Sequence, residues 1–243
     1  MDDFLEKQME NVIKKVYLSG APYLTHFLSS NKQELILTIL KKYPTVQVKF
    51  DGGALGTEYQ KAYLYLDEIE DIDFKIVTLA FKYNKLYLNI NHRNVLGSLM
   101  ALGLNRDRIG DIKVKDDIVM FMASTEIVPF LLENFKLMHK EPITLYEMTD
   151  KADFLPELVE KQIYASSLRS DSIISKVYNL SREESQNYFL TKLVKVNQIT
   201  EQKYTKELHE NDLVSVTGYG RFKISTYYLN KKQRYVITIL VYK

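Results

Sequence analysis

The chain has 243 residues, 46% hydrophobic and 26% charged, with no cysteine; this near-globular composition excludes a disordered chain, disulfides and thiolate metal sites. Net charge is only +2, yet residues 161–243 hold 14 Lys and Arg against 7 Asp and Glu, leaving 19 against 24 for residues 1–160. A site for a polyanion is therefore expected in the C-terminal third.

The length suits two or three modules. The first eighteen residues are amphipathic and acidic at their start, unlike a basic, apolar export signal, and no apolar stretch reaches the ~18–20 residues of a membrane span. The four histidines lie too far apart for a helical pair or finger, so no metal is expected. These features point to a cytoplasmic protein without a membrane partner, and a monomer is expected.

An opening helix carries an apolar stripe of Phe4, Leu5, Met9, Val12, Ile13, Val16 and Tyr17 and closes at Ser19-Gly20-Ala21-Pro22. A second, capped by Ser30 or Asn31, buries Leu35, Ile36, Ile39 and Leu40 and stops at Tyr43-Pro44. Val46, Val48 and Phe50, then Ala62, Leu64 and Leu66, alternate about Asp51-Gly52-Gly53 as a paired ribbon. Residues 1–70 thus form an N-terminal helical and β-ribbon module.

Residues 71–150 read as strand, helix, strand, strand, helix, strand. The strands fall at Phe74–Phe81, Ile112–Val114, Ile118–Met122 and Ile143–Tyr146, and the helices at His92–Leu102 and Thr125–Phe135. This is the ferredoxin-like order shared with RNA-recognition motifs, where helices cover one face of an antiparallel sheet and the other stays open. Phe81, Tyr83 and Tyr87 lie near that face, without the family's aromatic signature. The acidic run from Asp67 to Asp73 lacks the glycine turn and spacing of a calcium loop and reads as solvated.

Residues 151–164, with Pro156, read as a linker, and 165–243 as a small domain: helices at Ser170–Tyr178 and Arg182–Leu193, and strands at Leu193–Val196, Leu213–Val216 and Tyr235–Val241. Ser181 and Glu184 have capping-box spacing. Arg182 then sits in a helix first turn, where free N–H groups and the dipole favour phosphate. The Gly218-Tyr219-Gly220-Arg221 loop, followed by Lys223, lets backbone approach a phosphate beside a cation. Lys192, Lys195 and Asn197 lie between, and all these groups are expected to converge on one RNA surface. Arg93, Arg106 and Arg108 flank the first middle-domain helix and the loop after it as candidates for a second RNA contact.

Arg169-Ser170-Asp171, Asn179-Leu180-Ser181-Arg182, Val194-Lys195-Val196-Asn197, Glu210-Asn211-Asp212 and Gly218-Tyr219-Gly220-Arg221-Phe222 resemble the S-four-type RNA-binding domain, the alpha-L motif. That resemblance implies binding of structured RNA through Arg169, Ser181, Arg182, Lys195, Asn197, Gly218 and Arg221. Two positions depart from the pattern: Ser170 stands where Leu is usual, and Leu193 where Gly is common.

Upstream, Leu24-Thr25-His26-Phe27-Leu28, Phe50-Asp51-Gly52-Gly53, His92 to Gly97 and Leu102 to Ile112 occur in order. Together these segments resemble the YlmH proteins of Gram-positive bacteria over nearly the whole chain. The resemblance implies a non-catalytic protein on the large ribosomal subunit carrying obstructed peptidyl-tRNA, in ribosome-associated quality control. Its partners would be ribosomal RNA and peptidyl-tRNA, with no cofactor. The rival readings are an RNA-modifying enzyme of pseudouridine-synthase type and a cell-division scaffold. For catalysis the sequence offers no dinucleotide Gly-x-Gly-x-x-Gly, no Walker lysine and no Gly-x-Ser-x-Gly elbow.

Overall fold

The computed structural model describes residues 3–67, 69–149 and 153–242; Glu68 of the acidic run and residues 150–152, at the head of the expected linker, lie outside them. The chain is α+β and divides into two compact units, Met1–Leu155 and Pro156–Lys243.

In the first unit α1 (Asp3–Ser19) ends where Gly20 takes φ 71 and returns its N–H to Val16 O, the left-handed step a glycine supplies without strain. Its stripe packs Ile13 and Val16 against Leu35, Ile36 and Ile39 of α2 (Ser30–Leu40). Strand β1 (Tyr23–Leu24) and β2 (Gln47–Asp51) flank β3 (Lys61–Tyr65) in an antiparallel sheet of order β1-β3-β2, so the expected ribbon is present and gains a third strand.

Next come β4 (Ile76–Lys82), α3 (His92–Ala101), a 3₁₀ turn at Arg106–Arg108, β5 (Ile109–Lys115), β6 (Ile118–Ser124), a second 3₁₀ turn at Thr125–Ile127 and α4 (Val128–Asn134). A small hairpin of β7 (Leu137–Met138) and β8 (Glu141–Pro142) precedes β9 (Tyr146–Glu147). The four-stranded sheet runs β5-β6-β4-β9, antiparallel throughout. Leu79, Phe81, Val119 and Phe121 point one way, into a core closed by Val95 and Leu99 of α3 and Leu131 of α4.

The opposite face is not open, as the motif order had suggested. Ala80, Met120 and Met122 lie under Phe27, Ala54 and Tyr59 of the N-terminal segment and Phe154. Phe27 N–H donates to Asp107 O, and the buried Lys61 donates Nζ to Lys75 O at 2.9 Å beneath the Phe27 ring. At Gly110 a side chain would come within 2.8 Å of Phe27 and Met122, so close approach of the two layers requires glycine. Phe81 is itself wholly buried, which removes it as a stacking residue.

In the second unit the expected linker is corrected. Residues Leu158–Ala165 form β10, paired over eight residues with β15 (Tyr235–Tyr242). Its polar residues suit an edge strand with one wet face, and Pro156 just ahead costs no ladder bond. After α5 (Ser170–Tyr178) and α6 (Arg182–Leu190) come β11 (Val194–Val196), β12 (Ile199–Thr200), β13 (Leu213–Val216) and β14 (Gly220–Leu229). The sheet order is β10-β15-β14-β13-β11-β12. Val194, Val196, Val214, Val216, Phe222, Ile224, Ile237 and Ile239 make its inner face against Ile173, Ile174 and Phe189 of the helices. Each such fully buried side chain contributes about 1.5–3 kcal/mol.

Candidate nucleic-acid interface

The basic residues of the second unit fall into two sets, because the sheet lies between them. In the helix layer, Asp171 is fully buried at the start of α5. Its carboxylate accepts from Arg169 (Nε 3.1 Å, Nη2 2.9 Å), Arg182 Nε (3.2 Å), Gln186 Nε2 (2.8 Å) and the Ser172 N–H (2.8 Å). Burial alone would raise this carboxyl; the bonds from Arg169, Gln186 and Arg182 outweigh it and hold the group below its ordinary value. Ser170 completes the site by donating Oγ to Tyr204 O at 2.9 Å, a bond that leucine could not make.

The capping box forms as its spacing requires: Glu184 N–H donates to Ser181 Oγ (3.1 Å) and Ser181 N–H to Glu184 Oε2 (2.7 Å). With Glu183 and Glu184 both in the first turn, the α6 terminus answers its own dipole. Ser181 is therefore spent on the helix, and Arg182 keeps only the exposed edge of its guanidinium for a ligand.

The second set lies on the outer face. The segment expected as a loop followed by Lys223 is corrected: Arg221 and Lys223 belong to the ten-residue β14. Lys195, Ser215 and Arg221 stand directly opposite one another across β11, β13 and β14, so their side chains share the face turned from the helices. Lys195 and Arg221 are two strand spacings apart, about 10 Å between backbones. The Arg221 guanidinium lies over the Tyr242 ring at 4.6 Å, and Lys223 follows one row on, opposite Leu213.

Three expected contributors act mainly on the backbone. Asn197 (φ 49) bonds Asp212 Oδ1 through Nδ2 and accepts the Leu213 N–H, tying β11 to β13. Gly218 (φ 89) and Gly220 (φ 103) turn the β13–β14 hairpin in open space, so φ rather than crowding selects glycine. Between them Tyr219 packs on Tyr178 and Tyr188 of the helices at 5.1 and 5.5 Å. Lys192 holds φ 60 just past α6, the left-handed position usually given to glycine.

Of the middle-domain candidates, Arg93 is exposed in the first turn of α3, between Asn91 and Asn94 of the capping box. Arg106 lies over the Tyr59 ring at 4.0 Å and donates to Ile109 O. Arg108 pairs with Glu126. Arg106 thereby serves the packing of the N-terminal segment on the sheet, while Arg108 is engaged within the middle domain. Beside them Asp111 accepts the Tyr59 N–H at 2.8 Å, and burial pushes its carboxyl up to about 6.

The fold and these surfaces define an α+β protein with a helix-backed sheet, matched over residues 70–152 by the family model described as "Putative RNA-binding domain in YlmH". A curated relative, "Ribosome-associated protein quality control protein P2" of Bacillus subtilis (strain 168), is 30% identical over 83% of this chain and 80% of its own length. A solved structure, "Cell division protein ylmH from Streptococcus pneumoniae", is 26% identical with a TM-score of 0.53, covering 60% of this chain and 90% of that one. The chain belongs to the YlmH family.

Proposed function

We propose that the protein is a non-catalytic, cytoplasmic RNA-binding factor. It docks as a monomer on large-subunit ribosomal RNA through its C-terminal unit, with the obstructed subunit carrying peptidyl-tRNA as its target in ribosome-associated quality control. In this reading the middle sheet is a ferredoxin-like scaffold, and the C-terminal helices and sheet are an S-four-type module. The observation that carries it is the outer-face row: Lys195 and Arg221 aligned about 10 Å apart, with Lys223 one row on, on a sheet face remote from the apolar core. Cations so held by a rigid sheet suit successive phosphates of a folded RNA, and the names of the relatives point the same way. Binding would depend on counterion release. With about five phosphate contacts the log–log salt slope should be about −4 to −5, on the duplex-DNA scale of roughly −0.9 per contact.

Co-sedimentation with purified large subunits tests the reading. Lys195→Gln with Arg221→Gln should weaken binding at least tenfold without altering the thermal midpoint, and Arg182→Ala should weaken it less. Unchanged sedimentation of the double variant, or a flat salt response, removes the assignment. Nucleoside analysis of ribosomal RNA after incubation addresses catalysis, and a newly modified base would overturn the non-catalytic part.

A further inference from the structure

Beyond the β14 bulge between Ile224 and Thr226 the outer face changes character. Tyr164 of β10 and Tyr228 of β14 both stand opposite Val236 of β15, one strand to either side, so the two rings share a face about 10 Å apart at the backbone. They are 56% and 58% exposed, whereas Val236 between them is 3% exposed. The result is an aromatic platform with an aliphatic floor.

The turn joining β14 to β15 is built rather than loose. Asn230 Oδ1 accepts the N–H groups of Lys232 (2.9 Å) and Arg234 (3.1 Å), Asn230 N–H donates to Arg234 O (2.9 Å), and Gln233 takes φ 55. This turn displays Lys231, Lys232 and Arg234, all exposed. None of the three enters an ion pair among the described residues. With Asn230 and Tyr164 they line a concavity of about 420 Å³, which sets the three cations beside the Tyr164 ring.

We propose that this end of the sheet is a second RNA contact, distinct from the Lys195–Arg221 row, and that it takes an unpaired strand: bases stack on Tyr164 and Tyr228 while Lys231, Lys232 and Arg234 hold the adjoining phosphates. The proposal rests on the RNA-binding reading above. Cations at a hairpin tip would by themselves serve solubility or any polyanion. Two open rings beside them select a partner that offers both phosphates and free π-faces, and a duplex has its π-faces already stacked.

The test uses the full chain with labelled short oligouridylate and oligoadenylate against a duplex RNA of similar length. Tyr164→Leu with Tyr228→Leu keeps apolar cover over Val236 and should lower single-strand affinity about tenfold or more, leaving duplex affinity unchanged. Lys231→Gln, Lys232→Gln and Arg234→Gln together should flatten the single-strand salt slope by about 2, from roughly 0.7 per contact. Single-strand binding at wild-type strength in both variants overturns the proposal, as does equal loss on both RNAs in the leucine variant. Wild-type protein that binds neither RNA would instead sink the RNA-binding reading itself.

Discussion

Both units place helices on one face of an antiparallel sheet, and they treat the other face in opposite ways. In the first unit Phe27, Ala54, Tyr59 and Phe154 cover Ala80, Met120 and Met122. In the second, Lys195, Arg221, Lys223, Tyr164 and Tyr228 remain on the solvent side. The difference teaches that element order does not say where a ligand can reach. A face filled with methionine and capped by phenylalanine is core, whatever the topology that made it; a face of aligned cations and open rings is a surface.

Removing the cap should give the largest effect. Phe27→Ala is expected to destabilise the first unit by about 3–4 kcal/mol in urea titration, with dye binding to the uncovered methionines. Tyr228→Ala on the exposed face of the second unit should cost less than about 1 kcal/mol. Equal costs at the two positions would erase the distinction between the faces.

Next in size is Asp171→Ala, which leaves Arg169, Arg182, Gln186 and the Ser172 N–H without their shared acceptor. A loss of about 2–4 kcal/mol is expected, at the lower end because both arginines are partly solvated. A loss below about 1 kcal/mol would show that the two guanidiniums are held by something else.

Acidity should act with opposite sign on two aspartates, one in each unit. Asp171, depressed when folded, contributes stability present above its unfolded value near 4 and lost as pH falls through the lower folded value. Asp111, raised to about 6 when folded, contributes stability present below about 4 and lost as pH rises through 6. Between pH 4 and 6.5 the first unit should therefore weaken by about 1–2 kcal/mol as pH rises. Asp111→Asn should abolish that slope, and a slope surviving the substitution would assign it to other groups. The smallest effect is expected at Lys192, where glycine should relieve the positive φ and raise stability by a few tenths to about 1 kcal/mol. If Lys192→Gly also weakens RNA binding, the strained lysine is retained for its charge; undiminished binding would remove it from the interface.

Much of the local structure was legible because it depends on neighbours in sequence. The Ser181–Glu184 box, the Gly20 stop, the α1 stripe from Leu5 to Val16 (Phe4 and Tyr17 at its ends are exposed), the β2–β3 ribbon and the βαββαβ order follow from spacings of a few residues. Among the strands not foreseen, β10 and β14 are the longest. Arg221-Phe222-Lys223-Ile224 alternates with period two and could have been found, but the glycines before it read as a longer loop. In Leu158–Ala165 an edge strand carries so many polar residues that it resembles a linker until β15 is seen beside it.

The fate of the arginines and of the sheet faces lay beyond local pattern. Arg106, Arg108 and Arg169 look like free cations in the sequence, but Tyr59, Glu126 and Asp171 engage them, the first two across long sequence separations. Lys231, Lys232 and Arg234 passed unnoticed beside Tyr164, nearly seventy residues earlier in the chain, until the β10–β15 pairing joined them.

By itself the sequence determined the helices, most of the longer strands, the Ser181 cap and the concentration of positive charge in the last third, since these follow from dihedral preference, periodicity and counting. Only the tertiary structure decided which sheet face is core, which cations stay outside it, and that the basic groups form separate sets. Those outcomes depend on burial and pairing between distant segments, for which no local window carries a signal.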